Sequence, residues 1–169
     1  MKTNTIDVLD LLTTQHKEVD ELFAAIENGN GNKKALFDEM ADKLAAHAAI
    51  EEKLFYPAAM SKQTEDILHE SVEEHLSIKR LIADLLALDP HTDADDFDAK
   101  ISVLKEQVSH HAHEEEETEL FAMLRKSMSA DERAALGNEC MAMFESLMAT
   151  EPRRNVPAET AEAASLPSP

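Results

Sequence analysis

The chain has 169 residues, 43% of them apolar, which is enough for one domain with a sizeable core and too apolar for a disordered polyacid. Aromatic residues make up 4% and there are three glycines, so the Ala, Leu, Glu, Lys and Met that dominate favour helix and leave little material for strands. Sixteen basic against 35 acidic residues give a net charge of -19, which repels phosphate backbones and anionic bilayers and argues against nucleic acid and membrane surfaces as partners.

Apolar periodicity predicts a first helix over Ile6–Ile26, with Leu12, Val19, Phe23 and Ile26 on one stripe. The run Asn28-Gly29-Asn30-Gly31-Asn32 breaks it. A second helix spans Lys33–Phe55 on the stripe Leu36, Met40, Leu44, Leu54, and Pro57 is expected to stop it. A third covers Thr64–Leu88 with Leu68, Val72, Ile78, Ile82 and Leu85 inward, ended by Asp89-Pro90. A fourth runs from Asp95 toward Met128 behind Phe97, Ile101, Leu104 and Val108. Ser129 with Glu132 reads as a capping box for a fifth helix reaching Met148, with Leu136, Met143 and Leu147 available for packing. The expected fold is all-α: an antiparallel up-down-up-down four-helix bundle with an additional C-terminal helix. Residues 1–148 form its one domain, and the Pro-, Ala-, Thr- and Glu-rich residues 149–169 read as a disordered tail.

The N-terminal run MKTNTIDVLDLL has neither a long apolar stretch nor a small-residue cleavage site. The single cysteine, Cys140, forms no internal disulfide and reads as a small apolar helix residue. The expected location is cytoplasmic.

The chemistry lies in polar residues that interrupt the apolar seams. His16 falls between Leu12 and Val19, and His75 between Val72 and Ile78. The second seam runs Met40, Leu44, His47, Glu51, and the fourth runs Leu104, Val108, His111, Glu115. Each long helix thus carries one inward histidine, and two add an inward glutamate four residues on, within reach of the same ion. A buried, unpaired carboxylate costs several kcal/mol, and few lysines or arginines stand on these seams to offset it. A metal cation supplies the missing charge, and an imidazole–carboxylate set suits iron, manganese or zinc. A lone seam histidine is usually a satisfied core residue, and an acidic run such as Glu114–Glu117 mostly faces solvent; it is the repeat of one pattern over four helices that favours a metal site. His69 and His91 have no such context and read as surface residues.

The stretches LTTQHKEVDELF, HAAIEEKLFYP, EEHLSIKRLIADL and VSHHAHEEEETELF, in this order, resemble the hemerythrin-like HHE cation-binding family over residues 6–148. The resemblance implies the four-helix bundle and a cofactor of two iron ions joined by an oxo or hydroxo bridge. By motif the implied ligands are His16, His47, Glu51, His75, His111 and one glutamate of the acidic run, with Glu51 and that glutamate bridging. The chain departs from the family pattern in three places. Lys79 stands where oxygen carriers usually have a second histidine on the third helix, which leaves His110 or His113 as alternative donors and weakens reversible oxygen carriage. Phe121 follows His111 by one residue more than the family's spacing, which a π-bulge absorbs by presenting Glu116 instead of Glu115; Glu115 ranks first, Glu116 next, and His113 with Glu117 is a third register. Ala122 replaces the proline that ends the corresponding motif, so the fourth helix runs on. Tyr56, just past the second-helix ligands, reads as a packing residue near the site, its phenol the lesser candidate for a hydrogen bond or a metal.

The function this implies is a di-iron protein that binds or reacts with a small diatomic or peroxide ligand (oxygen, hydrogen peroxide or nitric oxide), with catalase-like peroxide or nitric oxide consumption as its enzymatic form. The alternative is a non-enzymatic oxygen, redox or iron sensor or iron store acting through a protein partner. No separate catalytic acid stands out, so the metals would carry the chemistry.

Overall fold

The computed structural model describes residues 5–169. Helix α1 (Val8–Glu27) is capped by the Asp7 carboxylate, which accepts from the Leu9 amide at 2.9 Å. Gly29 and Gly31 take positive φ (67° and 114°) in the turn that follows, and the Asn32 side chain caps α2 (Lys33–Ile50). A π turn (Glu51–Phe55) and a short α3 (Tyr56–Ala59) continue it. Helix α4 (Glu65–Leu86) returns, and α5 (Ala94–Ser109) runs through an eleven-residue π segment (His110–Leu120) into α6 (Phe121–Ser127). The expected capping box of Ser129 and Glu132 opens α7 (Ala130–Met148).

The architecture is the expected antiparallel four-helix bundle with a C-terminal helix, without strands among the described residues. The α1–α2 and α4–α5 pairs each pack as hairpins, and α7 lies across α1, α2 and the first π turn. Gly137 allows that approach: a Cβ there would stand 1.9 Å from the Ile6 carbonyl oxygen.

Two apolar clusters fill the bundle. Val8, Leu12, Ile50, Phe55, Leu68, Val72, Phe121 and Cys140 form one. Val19, Phe23, Phe37, Met40, Leu44, Ile78, Ile82, Phe97, Leu104 and Val108 form the other. Each seam histidine falls at the junction of the two, so the polar layer is sandwiched between dry cores.

Three expectations are corrected. Pro57 does not stop the second helix. The Tyr56 amide bonds back to the Glu51 carbonyl, five residues away, so Pro57 occupies a first-turn position where its missing N–H costs nothing. The same wide turn leaves Leu54 only half-buried and turns Phe55 and Tyr56 fully inward. Finally, the segment after α7 is ordered: Pro152–Glu159 forms a 3-10 helix against α2 and α4, with Val156 fully buried. Its low-complexity composition hid specific anchors, chiefly the Arg153 guanidinium donating to Asp42 at 2.6 Å.

Candidate metal centre

Seven side chains from the four bundle helices and their π stretches meet in the polar layer. His16 comes from α1, His47 from α2, His75 from α4 and His111 from the second π segment; all four are buried, and Glu51 and Glu116 are 0% exposed. The two π stretches decide who is present. Residues five apart diverge by about 140° on an α-helix, whereas i→i+5 bonding returns them to one face. His111 and Glu116 are five apart, and so are Glu51 and Tyr56; both pairs point inward together.

The four Nδ1 atoms are all engaged outward. His16 Nδ1 donates to Glu117 at 2.7 Å, His47 Nδ1 to the Gln15 amide oxygen at 2.7 Å, His75 Nδ1 to Glu52 at 3.0 Å and His111 Nδ1 to Glu74 at 2.6 Å. Because carboxylates only accept, these bonds fix the tautomer of neutral imidazole and leave every Nε2 with a bare lone pair. The supports close a ring around the bundle: α1 holds the α2 histidine, the α2 extension that of α4, α4 that of the π segment, and the π segment that of α1. Each support is the sequence neighbour of a centre residue: Gln15 of His16, Glu52 of Glu51, Glu74 of His75, Glu117 of Glu116. Lys79 Nζ in turn holds Glu52 at 2.9 Å.

The Nε2 atoms converge in two pairs, His16 to His47 at 3.2 Å and His75 to His111 at 3.0 Å. Each carboxylate spans both pairs. Glu51 presents Oε1 to His47 at 3.0 Å and Oε2 to His75 at 3.1 Å; Glu116 presents Oε2 to His16 at 3.1 Å and Oε1 to His111 at 3.4 Å. Tyr56 adds a fifth donor to the second pair, 3.3 Å from both its Nε2 atoms, and donates its proton to Glu116 at 2.6 Å.

Bare lone pairs and carboxylate oxygens this close repel one another unless a cation lies between them. Glu51 Oε1 and Glu116 Oε2, buried without a hydrogen-bond partner, mark the same need. His16, His47, Glu51 and Glu116 set donors within metal-binding distance of each other, as do Glu51, His75 and His111. The donors therefore fit cations. Without one, the cluster draws protons. Burial opposes charge on His16, yet hydrogen bonds and charges from Glu116 and Glu117 raise it to about 10. His75 is raised to about 10 against the same burial by Glu51 and Glu52.

Of the residues expected at the site, His16, His47, Glu51, His75, His111 and Glu116 come together. Glu115, ranked ahead of Glu116, instead sets its donor beside Glu74 and the outer side of His111, away from the Nε2 pairs. The π segment rotates it outward, where burial and the Glu74 and Glu70 carboxylates push it up to about 7 and His110 lies 3.2 Å away. The third register also fails as a ligand pair: Glu117 and His113 stand behind His16, and His113 bonds Asp20 at 2.8 Å. His110 is half-exposed beside Glu114, and His69 and His91 are exposed as expected. Tyr56 moves from neighbour to member of the cluster. The four Nδ1 supports escaped the sequence reading, although their position beside each inward residue was a usable signal.

An all-helical bundle with a buried layer of histidines and shared carboxylates defines a metal-binding domain. The chain belongs to the hemerythrin family: the hemerythrin HHE cation binding domain matches residues 7–124. Comparison with curated proteins and with solved structures gives no match. No helix among the described residues is long and apolar enough to cross a membrane.

Proposed function

We propose that the layer holds two iron ions and reacts with small oxidants (oxygen, nitric oxide and above all hydrogen peroxide), working as a catalase-like centre. The observation that carries this reading is the doubling of the donor set. Two Nε2 pairs each face one oxygen of Glu51 and one of Glu116, so the layer would offer two adjacent cation positions with Glu51 and Glu116 shared between them. Imidazole, carboxylate and phenol donors without thiolate suit iron or manganese, whereas a structural zinc site is closed by four ligands, often with cysteine.

A bound pair of irons supplies exchange of two electrons at one place. That matches peroxide disproportionation: one peroxide takes up two electrons and two protons to give two waters, and a second releases two electrons and two protons as oxygen. The chain's own contribution is positional. The outward Nδ1 bonds hold the imidazoles in the ligating tautomer, and the two apolar clusters keep bulk water from the layer. The Tyr56 phenol donates to Glu116 and would stand beside the second position, its proton held by burial and by the Glu116 and Glu51 carboxylates.

The test is oxygen release from peroxide by the iron-loaded chain, followed with an oxygen electrode beside Glu116→Gln. We expect one oxygen for every two peroxides consumed, and none from the variant. A wild-type chain that retains iron and releases no oxygen would defeat the catalase-like activity.

A further inference from the structure

A cavity of about 30 Å³ lies against the four histidines of the centre. Its floor is the four histidines; neither carboxylate and no part of Tyr56 reaches it. One turn along each helix its walls become mostly apolar, with Val19, Leu44, Ile78, Ile82 and Val108, and Gln15 and Lys79 also line it. The outer wall is Val156, which belongs to none of the bundle helices. This volume holds one or two small molecules, since a water needs about 10–15 Å³.

The segment carrying Val156 is built to stay in place. Thr150 donates to the Leu147 carbonyl at 2.7 Å as α7 ends, and Glu151 adopts the left-handed conformation (φ 51°) that turns the chain back. Arg153 is fastened to α2 twice, its amide donating to Asp42 Oδ1 at 3.0 Å and its guanidinium to Oδ2 at 2.6 Å. On the α4 side, Lys79 lies 3.7 Å from Glu159, and Arg80 donates to the Thr160 carbonyl at 3.0 Å. Between these two fastenings Val156 is 0% exposed. The segment thus packs on both α2 and α4 and bridges the two hairpins.

We propose that residues 151–161 are a strap that closes the apolar mouth of the metal centre, with Val156 as its plug and Arg153 on Asp42 as its latch. Closed, the strap leaves a dry antechamber that admits a small uncharged molecule and turns away anions and chelators, because an ion entering apolar walls forfeits its hydration. Lys79 joins the strap to the centre: its one ammonium serves both Glu159 and the Glu52 carboxylate that holds His75. Residues 151–161 lie beyond the stretch that the family model matches. The proposal rests on the metal-centre reading for what lies behind the mouth, but not for the cavity.

Two measurements on the full-length chain test it. The first is saturable xenon binding by 129Xe NMR on metal-free and zinc-loaded protein, since xenon enters dry apolar cavities. Wild type is expected to bind xenon and Val156→Phe to lose it with helicity unchanged. The second is the rate at which a bulky anionic chelator strips the bound metal. Arg153→Ala, which touches no centre residue, is expected to raise that rate tenfold or more at unchanged metal content. Val156→Phe that binds xenon as wild type does, or Arg153→Ala stripped within twofold of the wild-type rate, would overturn the strap. The xenon arm needs no metal, so a chain that failed to hold iron would defeat the di-iron reading and leave the cavity result standing.

Discussion

Glu115 and Glu116 are adjacent acids with opposite fates, and the difference is one of direction. Glu116 points into the layer between His16 and His111, while Glu115, whose Oε2 is likewise buried and unpartnered, shares an outer acidic group with Glu74. Glu116→Gln removes a negative oxygen from both cation positions at once, so it is expected to abolish tight metal binding. Glu115→Gln is expected to leave metal content unchanged, and metal analysis of the two desalted variants checks the pair. The four inward histidines were legible in the sequence because each interrupts an apolar stripe at helical spacing. The choice between the two glutamates was not, because a run of four acids has no apolar phase to set its register. Tyr56 was only half legible: its place was clear, but its direction depends on a π turn that residue types alone do not announce.

At the scale of elements, periodicity found every long helix to within a few residues, since stripes such as Phe97, Ile101, Leu104 and Val108 bury as one face. What it missed were departures from 3.6 residues per turn and contacts made by single residues. The ordered strap is of the second kind, held by Arg153 and Val156 rather than by a repeating stripe. Gly137 is another. In an isolated helix Gly137→Ala gains about 1 kcal/mol of helix propensity. Here the added methyl meets the Ile6 carbonyl at 1.9 Å, and overpacking of that kind costs about 1–3 kcal/mol. The contact involves backbone and has little room to yield, so the expected result is net destabilisation in urea unfolding; unchanged or increased stability would show that α7 does not dock against the start of α1 as described.

For the molecule as a whole, two dry cores are separated by a layer that demands positive charge, and its stability should follow what supplies that charge. In the metal-free chain His16 and His75, raised to about 10, draw it from protons. A folded-state pKa above the unfolded value of about 6.5 stabilises fully below pH 6.5, and that stabilisation is lost as pH rises toward 10. Metal binding has the opposite sign, because it needs bare imidazole nitrogens and competes with those protons. Urea unfolding of the chelator-treated chain is therefore expected to weaken steadily from pH 6.5 to 10, while the increment added by metal grows over the same interval. A metal-free stability that is flat across that range would contradict the charge-hungry layer.

The central claim is that this layer is a paired cation site, and anomalous diffraction at the iron edge from crystals of the iron-loaded chain tests it most directly. Two peaks are predicted, one among His16, His47, Glu51 and Glu116, the other among His75, His111, Tyr56 and the same two glutamates. A single peak, or density centred instead on Glu74 and Glu115, would contradict it.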